Sequence, residues 1–175
     1  MKRILLLTTL AAMLAAAMAL SGVAQAKPTS DSSDAKCEKL AIQTLGPSFN
    51  AANYTFHGGT AGPDDFSFTG TAEQPDVFCG FGSGAEGGDF DGIFTLEAGD
   101  IFLGGAGDDS VNLNQGTFYG GEGNDSVTTN SGTFNGEAGD DTVTTNDVGG
   151  TFNGGAGDDS VTTNNGTVDL GDEPL

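Results

Sequence analysis

The sequence predicts an all-β fold, a right-handed parallel β-solenoid of about five coils with an N-terminal cap, and three observations predict it. One phrase recurs four times between Gly104 and Leu170: GGAGDDSVNLNQGTFY, GGEGNDSVTTNSGTFN, GEAGDDTVTTNDVGGTFN and GGAGDDSVTTNNGTVDL. The copies begin at Gly104, Gly120, Gly136 and Gly154, spaced by 16, 16 and 18 residues, too short for a helix pair or a propeller blade and right for one solenoid coil. In each copy a glycine- and acid-rich hexad precedes short segments such as Ser126-Val127-Thr128 and Gly132-Thr133-Phe134-Asn135, where an apolar residue sits between polar ones as in a strand with one buried face.

Taken in chain order, Met1-Lys2-Arg3 is a basic start, Ile4 to Leu20 is apolar, and Ala24-Gln25-Ala26 is a small-x-small cleavage site, so 1–26 reads as a secretory signal peptide. The expected location is extracellular, either free or at the cell surface. No later run is long and apolar enough to span a membrane. Residues 27–36 read as a polar linker with little to bury. Residues 37–56 carry Leu40, Ala41, Ile42, Leu45, Phe49, Tyr54 and Phe56, enough apolar surface to cover an exposed solenoid end, and are expected to be the cap.

Residues 57–86 are glycine-rich and irregular. Gly58-Gly59 followed by Asp64-Asp65-Phe66, and Gly70-Thr71 followed by Asp76-Val77-Phe78, read as worn hexads with insertions. His57, the only histidine, reads as a turn or cap residue. Cys37 and Cys79 are the only cysteines, and an exported chain permits them to pair and tie the cap to the first coils. Two separate buried thiols are the other reading.

Residues 87–175 are the repeat region proper. Val111, Val127, Val143 and Val161 should stack inward as one ladder, with Phe118, Phe134, Phe152 and Val168 facing them. Asn130-Ser131-Gly132 and Asn164-Asn165-Gly166 are expected to supply the positive φ of tight turns. The two extra residues of the 18-residue copy, around Asp147-Val148-Gly149-Gly150, fall in that turn, where insertion disturbs no ladder. A fainter copy, GGDFDGIFTLEAGDIFL, starts at Gly87; there the sixth place is Gly92 and the acid sits one earlier, at Asp91.

The hexad holds Gly at its first and fourth places and Asp at its sixth: Asp109, Asp125, Asp141 and Asp159. GGAGDDSVN, GGEGNDSVT, GEAGDDTVT and GGAGDDSVT resemble the hemolysin-type calcium-binding repeats of RTX proteins, whose nonapeptide reads G-G-x-G-x-D-x-U-x. Only Glu137, at a second place, departs from that pattern. The resemblance implies a β-roll with Ca²⁺ between the hexads of successive coils, held by Asp carboxylates and loop carbonyls. The implied metal-site residues are Gly104, Ala106, Gly107, Asp108 and Asp109; Gly120, Glu122, Gly123, Asn124 and Asp125; Gly136, Ala138, Gly139, Asp140 and Asp141; and Gly154, Ala156, Gly157, Asp158 and Asp159. In the family the nonapeptides usually run in tandem. Here N-x-G-T-F fills every second half-coil, so calcium is expected along one edge only.

Physical chemistry points the same way. Adjacent strands lie about 4.8 Å apart, so stacked coils bring Asp109, Asp125, Asp141 and Asp159 into a column of like charges, each close pair costing about 4 kcal/mol at an effective dielectric near 20. Divalent cations turn that repulsion into attraction, and an all-oxygen site suits Ca²⁺ over Zn²⁺ or Cu²⁺. The formal net charge is −20, and no Lys or Arg follows Lys39, which excludes nucleic-acid binding through phosphates.

No Ser-His-Asp set, phosphate loop or His-rich cluster is present, and no enzyme activity is expected. A second reading comes from the outward hydroxyls. Ser126, Thr128, Thr142, Thr144, Ser160 and Thr162 would form two columns on a flat face, resembling the Thr ladders of β-solenoid ice-binding proteins or suiting an adhesive matrix component.

Overall fold

The computed structural model describes residues 33–66, 74–81 and 90–171. The expected signal peptide, residues 27–32 of the linker, Gly70-Thr71 and the start of the faint copy at Gly87 lie outside the described residues.

The chain forms a helix α1 (Ser33–Leu45), a 3₁₀ turn (Ala51–Asn53) and twelve strands: β1 (Thr55–Gly58), β2 (Asp76–Cys79), β3 (Gly92–Leu96), β4 (Ile101–Ala106), β5 (Ser110–Asn114), β6 (Thr117–Glu122), β7 (Ser126–Asn130), β8 (Thr133–Ala138), β9 (Thr142–Asn146), β10 (Thr151–Ala156), β11 (Ser160–Asn164) and β12 (Thr167–Asp169). These make two parallel sheets, one ordered β1-β2-β4-β6-β8-β10-β12 and the other β11-β9-β7-β5-β3. The architecture is a parallel β-solenoid of about five turns, as the 16-residue period predicts.

The register carries both expected ladders. Val111, Val127, Val143 and Val161 pair in sequence, and Ile93 extends them upstream. Phe118, Phe134, Phe152 and Val168 pair on the facing sheet, with Phe102 and Phe78 above them. The rings of Phe102, Phe118, Phe134 and Phe152 stack nearly parallel at centroid spacings of 4.8–5.0 Å. Ring spacing equals strand spacing, so Phe118 and Phe134 each stack between two rings of their own kind. His57 pairs with Phe78 in the register and stacks on it at 5.0 Å, while its Nε2 lies 3.0 Å from Asp76 Oδ1. Phe66 packs tilted against Phe78 and Phe102.

The N-terminal segment lies against a sheet face. On the first strands of the seven-stranded sheet the outward positions, Val77, Cys79, Ile101 and Leu103, are apolar; on β8 and β10 they are Thr133, Asn135, Thr151 and Asn153. Cys37 and Ala41 of α1 bury themselves against that apolar patch, with Leu40, Leu45, Phe49, Tyr54, Phe56 and Tyr119 around them. Cys37 and Cys79 form a disulfide across this contact, Cα to Cα 5.5 Å. Pairing thus joins helix to sheet, and the two-thiol reading is overturned.

Three expectations are corrected by the register. Positive φ does not occur at Asn130-Ser131-Gly132 or Asn164-Asn165-Gly166; it occurs at the second and fourth hexad places, including Glu137 at φ 78°. Asn130 instead points inward in a ladder, its amide donating to Asn146 Oδ1 (2.8 Å) and to the Thr151 carbonyl (3.0 Å); Asn114 and Asn146 do the same one coil away. Gly132 is required because a Cβ there would strike the Gly116 carbonyl. Second, Gly92 pairs with Ser110, which puts Asp91, and not Gly92, in the sixth hexad place. Third, Asp76-Val77-Phe78 is not a hexad end: Val77 pairs with Ile101, so these residues form the Phe-bearing strand that precedes a hexad. The insertion expectation holds, since Asn130↔Asn146 and Thr133↔Thr151 stay in register while Val148 and Gly149 bulge into solvent.

Candidate metal centre

The hexad bends the chain from the seven-stranded sheet into the five-stranded one. Its fourth-place glycines, Gly107, Gly123, Gly139 and Gly157, have φ between 134° and 146°, a region closed to side chains. Their N–H groups reach the third place of the following coil: Gly107 to Glu122 O (2.7 Å), Gly123 to Ala138 O (2.8 Å), Gly139 to Ala156 O (2.9 Å). Third-place side chains of Glu122, Ala138 and Ala156 face solvent.

The fifth and sixth places separate into two columns. The fifth-place residues Asp108, Asn124, Asp140 and Asp158 are exposed, and each side chain of the first three accepts from the backbone N–H of its counterpart one coil later, at 2.8–2.9 Å. The sixth-place residues Asp109, Asp125, Asp141 and Asp159 are buried. Their Oδ1 atoms accept from the coil before: the N–H of Asp91 donates to Asp109 (2.9 Å), Asp109 to Asp125 (2.7 Å), Asp125 to Asp141 (2.7 Å) and Asp141 to Asp159 (2.8 Å). Two sets of side-chain oxygens, all carboxylate except Asn124, therefore clamp each coil to its neighbours in opposite directions.

The second oxygen of each inward carboxylate has no hydrogen bond. Oδ2 of Asp109, Asp125, Asp141 and Asp159 is buried with no polar partner. It occupies the space that a Cβ on the first-place glycine of the same hexad would fill, at Gly104, Gly120, Gly136 and Gly154. At the first three, the carbonyl of the next coil's first-place glycine borders the same space. Burial is the main reason that the carboxyls of Asp109 and Asp141 are pushed up to about 7 and that of Asp125 to about 8; neighbouring acids add to the rise and the accepted N–H bonds oppose it.

The ladder extends upstream of the four clear copies. Gly80 faces Asp91 as Gly104 faces Asp109, and Gly59 faces Asp64. The Gly59–Asp64 spacing matches the intact hexads, and Asp64 donates its N–H to Asp91 Oδ1 (2.7 Å). At this first rung the carboxylate is satisfied locally, since Thr60 donates its N–H to Asp64 Oδ2 (2.6 Å).

Among the described residues no three His, Cys, Asp or Glu side chains gather at one point. Any cation held here would be shared between rungs and would draw on backbone carbonyls. The chemistry of the donor set fits a hard divalent cation: buried carboxylate oxygens beside glycine carbonyls, with no nitrogen or sulfur ligand.

Comparison with known proteins gave no match: no family model fits the chain, and neither a curated protein nor a solved structure matches it. The likeness to hemolysin-type repeats therefore rests on the hexad residues themselves. No described helix is long and apolar enough to cross a membrane.

Proposed function

We propose that this chain is an exported, non-enzymatic calcium-binding β-roll, in which Ca²⁺ shared between successive hexads neutralises the inward Asp column and drives folding. The observation that carries this reading is the row of unpartnered Oδ2 atoms on Asp109, Asp125, Asp141 and Asp159. Unpaired buried carboxylates a strand spacing apart cannot all remain ionised without a counter-charge. Calcium supplies it through the oxygens already present, and extracellular modules of this kind bind in the range of about 10⁻⁴ to 10⁻³ M. At neutral pH without metal the chain stays largely disordered, because folding and binding are one event.

The test is a calcium titration of the chain from Lys27 onward, followed by far-ultraviolet circular dichroism and calorimetry. Strand signal should appear with calcium and vanish with chelator. Asp125→Ala and Asp141→Ala, with a neighbour on each side, should raise the calcium midpoint more than Asp159→Ala. Full strand content in excess chelator at neutral pH, with no heat on adding calcium, would overturn the proposal.

A second reading concerns the outer surface of the five-stranded sheet, where Ser126, Thr128, Thr142, Thr144, Ser160 and Thr162 are exposed and in register. Such an array suits ice or a matrix polymer. Thermal hysteresis that is lost when Thr128 and Thr144 become Tyr would promote ice binding.

A further inference from the structure

The outer face of the five-stranded sheet ends, at β3, in a cavity of about 420 Å³ bordered by Phe90 and Phe94. These are the two exposed aromatic side chains among the described residues, at 56% and 70%. Burying a ring of this size is favourable, so a pair left in water beside a cavity marks a surface that meets something apolar. Gly92 forms the floor: a Cβ there would stand 3.6 Å from both Phe90 Cε1 and Ser110 Oγ. Ser110 and Asn112 also line the cavity, as do two acids, Asp64 and Asp65.

The polar groups decide the ligand class. From Asn112 the same column continues across the sheet as Thr128, Thr144 and Thr162, all exposed and uncharged, repeating about every 4.8 Å. A ligand for this surface needs an apolar face for a planar ring and hydroxyls at regular intervals along its length. A pyranose chain has both, because its axial C–H groups carry partial positive charge toward the negative face of an aromatic ring. A polyanion is repelled by a chain of net charge −20. An organic cation would meet Asp64 and Asp65 in the cavity but would gain nothing from the neutral column beyond it, and its binding would fall with salt where a glycan's would not.

We propose that the Phe90–Phe94 cavity binds a neutral polysaccharide, one sugar unit lying against Phe94 and the polymer running over the Asn112–Thr162 column. The inference uses none of the inward carboxylates, but it needs the folded sheet, so the test is run in saturating calcium and repeated in chelator.

Affinity electrophoresis of the chain from Lys27 tests it, in gels containing hydroxyethylcellulose, galactomannan or a soluble β-1,3-glucan, with alginate as the anionic control, and with pull-down on insoluble cellulose and chitin. At least one neutral polymer should retard the protein, in high salt as in low. Phe94→Ala and Phe90→Ala should each weaken binding about tenfold, and Phe94→Leu, which keeps apolar volume without a planar face, should also lose it. Asn153→Ala, on the other sheet, should bind normally. No retardation by any neutral polymer, or variants that bind like the parent, would overturn the proposal; so would retention abolished by salt, which indicates an electrostatic contact in place of a stacked sugar. A chain that binds a glycan while ignoring calcium would sink the calcium reading alone.

Discussion

Asp125 and Gly120 share one small space: Oδ2 of Asp125 lies where a Cβ on Gly120 would stand, and the Gly136 carbonyl borders the same space. The relation recurs between Gly104 and Asp109, and between Gly136 and Asp141. The first-place glycines do not have the positive φ that the second- and fourth-place residues have. They are glycine because the carboxylate needs the room, so the first and sixth letters of the hexad act as a unit.

Gly120→Ala should therefore destabilise the stack by about 1–3 kcal/mol, the usual cost of overpacking, and should weaken the calcium response. Gly62→Ala is the control, because the nearest atom to a Cβ there is Thr60 Oγ1 at 3.8 Å. Melting temperatures followed by circular dichroism in saturating calcium should fall for the first and barely move for the second. Equal behaviour would mean that the shared space is unimportant.

Asp125→Asn separates the hydrogen bond from the charge. The side-chain oxygen still accepts from the Asp109 N–H, 2.7 Å away in the parent, while the second oxygen becomes an amide that carries no charge at any pH and can donate. In excess chelator at pH 7.5 this variant should keep more strand signal than the parent, and in calcium it should bind fewer ions. A variant less folded than the parent in chelator would show that repulsion along the column is not what opposes folding.

The two side-chain ladders and the solenoid itself were legible because Val127 and Phe134 each sit between polar residues and recur at a fixed period. The face under α1 was legible in principle too, since Val77, Cys79, Ile101 and Leu103 break that alternation exactly where later coils keep Thr and Asn. Asp91 was placed one position out because the stretch between Gly80 and Asp91 is longer than an intact hexad, and only pairing of Gly92 with Ser110 fixes the register. Gly58-Gly59 followed by Asp64 is legible as a worn hexad, but the hexad starts at Gly59, with Thr60 at the second place, and holds no inserted residue. Asn130 carries turn chemistry in its Asn-x-Gly context, yet its partners belong to another coil, 16 and 21 residues away. Such contacts become visible only when the coils are stacked.

Stability without metal should depend on pH in an unusual direction. The carboxyls of Asp109 and Asp141 are raised to about 7 and that of Asp125 to about 8, against an ordinary value of 3.8. Over the interval between ordinary and raised values the folded chain holds protons that the unfolded chain has released. Unfolding free energy therefore falls as pH rises from roughly 4 to 8, and this contribution is fully present only below that window. In chelator the melting temperature should be highest near pH 5 and fall with rising pH until no cooperative melt remains near neutrality, and saturating calcium should flatten or reverse the slope. A melting temperature that climbs over that range in chelator would contradict the raised values.

The Asn ladder predicts a graded response along the opposite edge. Asn130 is fully buried; it receives the Asn114 amide (2.8 Å) and donates to Asn146 Oδ1 and the Thr151 carbonyl. Asn130→Ala removes these bonds and strands a donor on Asn114 and acceptors on Asn146 and Thr151, at about 1–3 kcal/mol for each group left unsatisfied in the interior. Asn164, exposed in β11, receives the Asn146 amide at 2.9 Å and accepts from the Gly166 N–H, but water can replace it there. Chemical denaturation in saturating calcium should thus show Asn130→Ala destabilised by about 3 kcal/mol or more and Asn164→Ala by less than about 1 kcal/mol. Comparable losses at both positions would mean that the amide ladder does not work by satisfying buried groups, because the two sites share their chemistry and differ in access to solvent.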